Sequence, residues 1–369
     1  MDDVDLDVRM ECLTELQGHD DRAWHVAWNP MKPVLASCSA DKTVRLYHYR
    51  QSEGERSLTF EHLNTIQTGH TKTVRAIAWS PSGRTLATAS FDANIGIWEQ
   101  ELAEDEEGKP NYAVNTGEWE CMSLLEGHET ECKSVAYCSS GNLLASCSRD
   151  KTVWVWEVHP DADFECMGVM MEHSQDVKQV AWHPTEEILA SASYDDTIKL
   201  YIDDPSEDWF CFATLTGHDS TVWSLAFSPN GRYLASSSDD LTIRIWERVE
   251  QYKWECVKVI DSIHQRSIYS ISWGMGLRGT NGDGRLGWLA STGGDGKINV
   301  FEIQAPSSSS DSGARVPPSH KLIAQVHSAH AVHDVNCVTW CSRPGFENLL
   351  ATAGDDGSVK VWRVTSVGN

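Results

Sequence analysis

Residues 217–260 read GHDSTVWSLAFSPNGRYLASSSDDLTIRIWERVEQYKWECVKVI. Four runs within it, VWSLAFS, YLASSS, TIRIWER and WECVKVI, place Val, Ile, Trp and Thr at period two. That is the signature of short, half-buried strands, and dipeptides such as NG between them supply turns. No part of the chain shows a sustained 3.6-residue apolar period, so the unit and its surroundings read as all-β.

The unit recurs. Seven segments place an aromatic residue six positions after an Asp: DKTVRLY from Asp41, DANIGIW from Asp92, DKTVWVW from Asp150, DDTIKLY from Asp195, DLTIRIW from Asp240, DGKINVF from Asp295 and DGSVKVW from Asp356. Each follows a small, apolar run such as LASCS or LATAS, and each has a His upstream: His19, His70, His128, His173, His218, His264 and His330. Successive histidines are 51, 58, 45, 45, 46 and 66 residues apart, so the base period is 45 with insertions. A period of that length marks a repeat architecture in which each unit buries its apolar face on its neighbours.

Composition sets the outer bounds. The 369 residues carry 30 Lys and Arg against 54 Asp and Glu, a net charge of −24. That balance disfavours a protein whose task is to neutralise nucleic-acid phosphates or to lie on an anionic membrane. The opening MDDVDLDVRM is acidic and lacks the apolar core of a secretory signal. No run of 18 apolar residues occurs and TSVGN at the other end carries no lipidation motif, leaving cytosol, nucleus or both. Eleven Cys are spread along the chain without a CxxC, which fits reduced packing residues in a reducing compartment. Cys337 and Cys341, on a strand, stand too far apart to share a zinc ion.

These GH…LAS…D…W units resemble WD repeats, and seven of them imply a seven-bladed β-propeller spanning residues 1–369 as one domain. The resemblance implies a hydrogen-bonded His–Ser/Thr–Asp–Trp tetrad in each blade. The sets are His70, Thr88, Asp92 and Trp98 in blade two, and His128, Ser146, Asp150 and Trp156 in blade three. Blade five has His218, Ser236, Asp240 and Trp246, and blade seven has His330, Thr352, Asp356 and Trp362. Tyr47, Tyr201 and Phe301 replace Trp in blades one, four and six; Phe cannot donate, so the sixth tetrad is expected incomplete and that blade looser. The last unit lacks a fourth strand, while MECLTELQGH matches WECMSLLEGH and WFCFATLTGH, so a strand near Met10 to Leu16 is expected to complete blade seven and close the ring.

A His–Ser–Asp set suggests nucleophilic catalysis, but sevenfold repetition marks it as structural. No phosphate loop, HExxH or spaced Cys/His cluster occurs. Cys12, Cys121, Cys166 and Cys256 share one outer-strand position and are taken as packing residues. The chain reads as a non-enzyme with no metal and no cofactor. Function is then expected on the top rim, where positions five or six after each His and just before each Asp converge. Blades one to four bring Arg22, Arg75, Lys133, Arg149 and Lys178 there, interleaved with Trp24, Phe91 and Tyr194; Trp223 and Tyr269 follow. Such a mouth suits an acidic or aromatic peptide, with Arg149 the leading candidate to fork onto a carboxylate. The acidic stretch 99–118 and the Ser-rich 302–320 are expected to be solvated insertions, and GMGLRGTNGDGRLGW a lengthened turn in blade six.

Whole segments narrow the resemblance. GHDDRAWHVAWNP at Gly18, CSRDKTVWVWE at Cys147 and SYDDTIKLYIDDPSEDWFCFATLTGH at Ser193 resemble the WD-repeat subunits of cytosolic iron–sulfur protein assembly targeting complexes. That resemblance implies a scaffold docking a DUF59-type assembly factor, a HEAT-repeat adaptor, a hydrogenase-like Fe–S assembly factor and Fe–S apoproteins. It implies no direct contact with nucleic acid or membrane, and a cytoplasmic location that could extend to the nucleus. An adaptor of a chromatin or ubiquitin-ligase complex, binding a peptide at the same face, is the alternative.

Overall fold

A computed structural model describes residues 8–51, 57–100, 117–160, 163–204, 208–277, 284–306 and 316–366. Most of the acidic insertion, the centre of the Ser-rich one and part of the lengthened blade-six turn lie outside the described residues. Among these residues the chain forms seven antiparallel sheets of four strands each, and no helix. Blade one is Ala23–Trp28, Val34–Ser39, Thr43–Gln51 and Leu58–Gln67, in that spatial order from the centre outward. Ring closure is as expected: Val8–Leu16 pairs antiparallel with Val359–Ser366 as the outer strand of blade seven, in the register Met10↔Val364 and Leu16↔Val359.

The second strand of each blade explains the small-residue runs. Val34–Ser39, Leu143–Ser148 and Tyr233–Ser238 are buried at every position, because both their faces lie against neighbouring sheets. Ala and Ser let those sheets approach. The core is correspondingly interblade: Val74, Ile77 and Trp79 of blade two pack with Val34, Ala36, Leu46 and Ile66 of blade one. Tryptophans at the ends of first strands fasten blade to blade. Trp28 Nε1 donates to Thr339 O (3.2 Å), Trp79 to Ala27 O (3.1 Å) and Trp182 to Ala136 O (2.9 Å). Each such indole adds about 1 kcal/mol of hydrogen bond to the apolar area it buries.

All seven His–Ser/Thr–Asp sets are assembled. In blade three His128 Nδ1 lies 2.9 Å from Asp150 and Nε2 2.9 Å from Ser146 Oγ, which accepts from Trp156 Nε1 at 3.0 Å. Blades two, five and seven repeat that geometry through Trp98, Trp246 and Trp362 (2.9–3.0 Å). Tyr201 keeps the chain intact by accepting from Ser191 Oγ at 3.3 Å. In blade six, as expected, no aromatic donor reaches Ser291 among the described residues, and a substitute network forms. Phe301 donates nothing, but Asn299 Nδ2 donates to His264 Nε2 (3.0 Å) and Asn299 accepts from Gln325 Nε2 (2.6 Å). The polar network is rerouted two residues upstream, and Phe301 is fully buried beside it.

The GH glycines have a packing reason as well. A Cβ on Gly127 would stand 2.5 Å from the Trp154 indole, which lies 5.3 Å from the His128 ring and stacks on Trp156 at 5.2 Å.

One assignment is corrected. Cys12, Cys121, Cys166 and Cys256 are exposed and are not core packing residues. Each thiol donates to the carbonyl two residues on (Thr14, Ser123, Gly168 and Lys258; 3.5–3.9 Å). The residue spanned in each case is the one left unpaired by a β-bulge in the outer strand. The Cys therefore recurs as a local brace of a bulge, a contact that a burial pattern cannot reveal.

Candidate functional site

Every first strand carries a bulge at its second residue, seen as a register shift between Ala23 and His25, Val74 and Ala76, Cys132 and Ser134, and their equivalents in all seven blades. The bulged residues are Trp24, Arg75, Lys133, Lys178, Trp223, Tyr269 and Asn336. A bulge frees one residue from the ladder and re-aims its side chain, here seven times around one axis. All seven line a single cavity of about 290 Å3 at the mouth of the central channel, joined by Arg22 and Phe91.

Cations and rings alternate within it. The Arg75 guanidinium lies 4.8 Å from the Trp24 ring centre, Lys133 Nζ 4.2 Å from Phe91, and Lys178 Nζ 5.0 Å from both Trp223 and Tyr194. Tyr194 therefore reaches the mouth through Lys178 and does not line the cavity. Arg149 is likewise outside the lining: its exposed guanidinium stands 3.4 Å from Glu131, which also holds Lys133 at 2.6 Å. Burial would raise the Glu131 carboxyl, but Lys133 and Arg149 together hold it below the usual range. Desolvation pulls Lys178 down, with the nearby Asp176 carboxylate opposing. Among the described residues Arg75 is paired with no carboxylate, and the buried Trp24 Nε1 has no acceptor. His25, beneath them, is lowered to about 4 by burial and by the Arg75 charge, so it adds no cation at neutral pH.

Carboxylates enter the ring from blade seven. Asp334 and Asp355 line the cavity, Arg22 Nε lies 3.5 Å from Asp355, and Arg266 lies 3.7 Å from Asp334. Asn336 Nδ2 donates to Asp355 (2.8 Å), and Trp223 Nε1 to Asp239 (2.6 Å). The mouth is thus bipolar: Arg75, Lys133 and Lys178 bring cations from blades two to four, and Asp334 and Asp355 bring carboxylates from blade seven. The sequence expectation, with its cations on blades one to four, did not include Asp334. Its signal was available: it stands two residues before the bulge, the ring position that Arg22, Glu131 and Asp176 also occupy.

Among the described residues, one grouping brings three metal-ligand side chains within 4.8 Å of one another, Glu157, His159 and Glu165 on the far side of blade three, and no thiol belongs to it. Burial raises the Cys38, Cys132, Cys147 and Cys337 thiols, opposite to what a thiolate ligand needs.

The repeat model described as "WD40: WD domain, G-beta repeat" matches residues 10–48, 61–99, 119–157, 164–201, 209–247 and 321–363. The unmatched stretch between the last two holds the first three strands of blade six, the blade with Gly294 and Phe301. The chain is 50% identical to the probable cytosolic iron-sulfur protein assembly protein 1 of Mycosarcoma maydis, over 97% of this chain and 93% of that protein. It is 43% identical to the protein of that name from Cryptococcus neoformans (97% and 99%) and 39% to that from Candida glabrata (96% and 98%). With seven closed blades, seven His–Ser/Thr–Asp sets and these likenesses over nearly its whole length, the chain belongs to the WD40-repeat family and, within it, to the family of the cytosolic iron-sulfur protein assembly protein 1 relatives.

Proposed function

We propose that the protein is a non-catalytic adaptor of cytosolic iron–sulfur protein assembly whose top mouth receives an acidic, aromatic segment of a partner. The observation that carries the binding part is the Arg75–Trp24 pair: a guanidinium without a carboxylate and an indole N–H without an acceptor, side by side at a preformed cavity. A partner carboxylate at the cavity would pair with the Arg75 guanidinium, and a partner ring would continue the alternation begun by Phe91, Tyr194 and Trp223. Arg149, free on its outer side, would meet the same segment at the rim. The assembly role is supported by the likeness, over nearly their whole length, to relatives named as cytosolic iron-sulfur protein assembly proteins. The partners proposed are a DUF59-type assembly factor, a HEAT-repeat adaptor, a hydrogenase-like assembly factor and Fe–S apoproteins, in the cytoplasm and also the nucleus. The cluster is cargo of that machinery, passed between partners that this chain positions.

The test is capture of those partners from cytosol by the full chain and by Arg75→Glu and Arg149→Glu. Both variants are expected to lose at least one partner at an unchanged melting temperature, and depletion of the protein to lower cytosolic Fe–S enzyme activities. Full partner capture by both variants would remove the mouth from the proposal; normal Fe–S enzyme activities after depletion would remove the assembly role.

A further inference from the structure

We propose that the outer edge of blades two and three docks a basic, apolar strand of a partner protein, at a surface distinct from the mouth and on an argument independent of it. Eleven large apolar side chains are exposed among the described residues, and five of them stand on the outer strands of these two adjacent blades or just beyond. They are Met122 and Leu124 on Trp119–Leu125, Met167 and Val169 on Phe164–Met170, and Met171, which is 73% exposed. Soluble monomers rarely leave such a cluster uncovered.

The other blades are an internal control. Every outer strand has one bulged residue. Leu13, Leu63, Phe212 and Val257 are partly buried against the core and Ile323 is fully so. At the same position Met122 and Met167 are 47% and 41% exposed. Two residues on, blades one, four, six and seven carry Thr65, Thr214, Gln325 and Glu15, where blades two and three carry Leu124 and Val169. Blade five also exposes an apolar residue there, Val259, but next to Lys258 on a strand that also carries Lys253.

Charge selects the occupant. Residues 117–127 and 163–172 contain six acids, all exposed, and no Lys or Arg. None of the six is paired with a Lys or Arg among the described residues. Each outer strand also leaves one hydrogen-bonding edge unpaired. Natural edges are commonly guarded by Lys, which these two strands lack. An incoming strand with alternating basic and apolar residues would meet all three features at once: edge amides and carbonyls, methionine side chains that adapt to a partner, and flanking carboxylates. Between the two blades a cleft of about 340 Å3, lined by Ile97, Tyr137, Val158 and Phe164 among others, opens beside the start of the Phe164–Met170 strand and offers an anchor pocket.

The experiment uses the full chain labelled at its methionine methyl groups and an amidated nine-residue peptide alternating Lys and Val. Saturable shifts are expected at Met122, Met167 and Met171, with exposed Met31 and Met275 unmoved as internal references. The same peptide with Glu for Lys should shift none. Leu124→Lys combined with Val169→Lys should weaken the Lys peptide at least about tenfold, with an unchanged melting temperature because both sites are exposed. Arg75→Glu, which tests the mouth, should bind the peptide as before. Absence of shifts at Met122, Met167 and Met171 up to about 1 mM peptide, or equal shifts at Met31 and Met275, would overturn the proposal.

Discussion

Replacing Asp92 by Asn isolates what one tetrad carboxylate contributes. Asp92 accepts from His70 Nδ1 (3.0 Å) and from the backbone N–H groups of Thr71 (2.8 Å) and Asn94 (3.1 Å), with only 7% of its side chain exposed. Burial alone would raise its carboxyl, but these hydrogen bonds and the His70 partner outweigh it and hold the group at about 2. In the unfolded chain an Asp titrates near about 3.9. The folded form therefore refuses a proton that the unfolded form accepts, and stability is present above 3.9 and lost as pH falls towards 2. The difference corresponds to about 2–3 kcal/mol at pH 7. Asn resembles the protonated carboxyl in shape and charge, so Asp92→Asn should cost about that much at neutral pH and progressively less below pH 4. Urea unfolding followed by tryptophan fluorescence at pH 7, 5, 4 and 3 measures the gap directly. A gap independent of pH, or none at pH 7, would refute the assignment of stability to the ionised carboxylate. The same logic applies to Asp295 and Asp356, also held at about 2, so the intact ring should lose most of its stability in that acid window.

Further outcomes are expected. Deleting residues 1–16 should lower the melting temperature steeply and promote association, because it strips the outer strand from Val359–Ser366 and reopens an edge; a truncated chain melting like the full one would refute the closure. Gly127→Ala should cost about 1–3 kcal/mol in the same urea assay, since the new methyl collides with Trp154, whose Nε1 is bonded to Thr152 Oγ1 at 2.8 Å. Asn299→Val should cost about 2–3 kcal/mol by stranding Gln325 and weakening the His264 set, while Phe301→Tyr should recover none of it.

Much of this architecture was legible from periodicity and repetition. The interval between histidines, the Asp-to-aromatic spacing and the likeness of MECLTELQGH to later outer strands specified the number of blades and the closing strand, because each is a backbone pattern repeated in one dimension. The candidate mouth was legible in part. Counting from each histidine found Trp24, Arg75, Lys133, Lys178, Trp223 and Tyr269, and the structure brings them around one cavity. Arg149 and Tyr194 share the position before the repeat Asp with Phe91 and Asp355, which do line the cavity, yet they stand outside it, Arg149 turned to Glu131 and Tyr194 against Lys178.

What the sequence determined alone is therefore whatever repeats: strand period, turn chemistry, the sevenfold unit and the polar sets that each unit carries. What only the tertiary structure decided is whatever depends on neighbours that are distant in the chain. The pairing of Arg22 with Asp355 follows from ring closure, while the rerouting of the sixth tetrad through Asn299 and the exposure of Met122 and Met167 where other blades bury the same position follow from packing between strands. Closure sets residues hundreds apart side by side, and charge balance, hydrogen-bond satisfaction and burial are settled only by what then stands next to what.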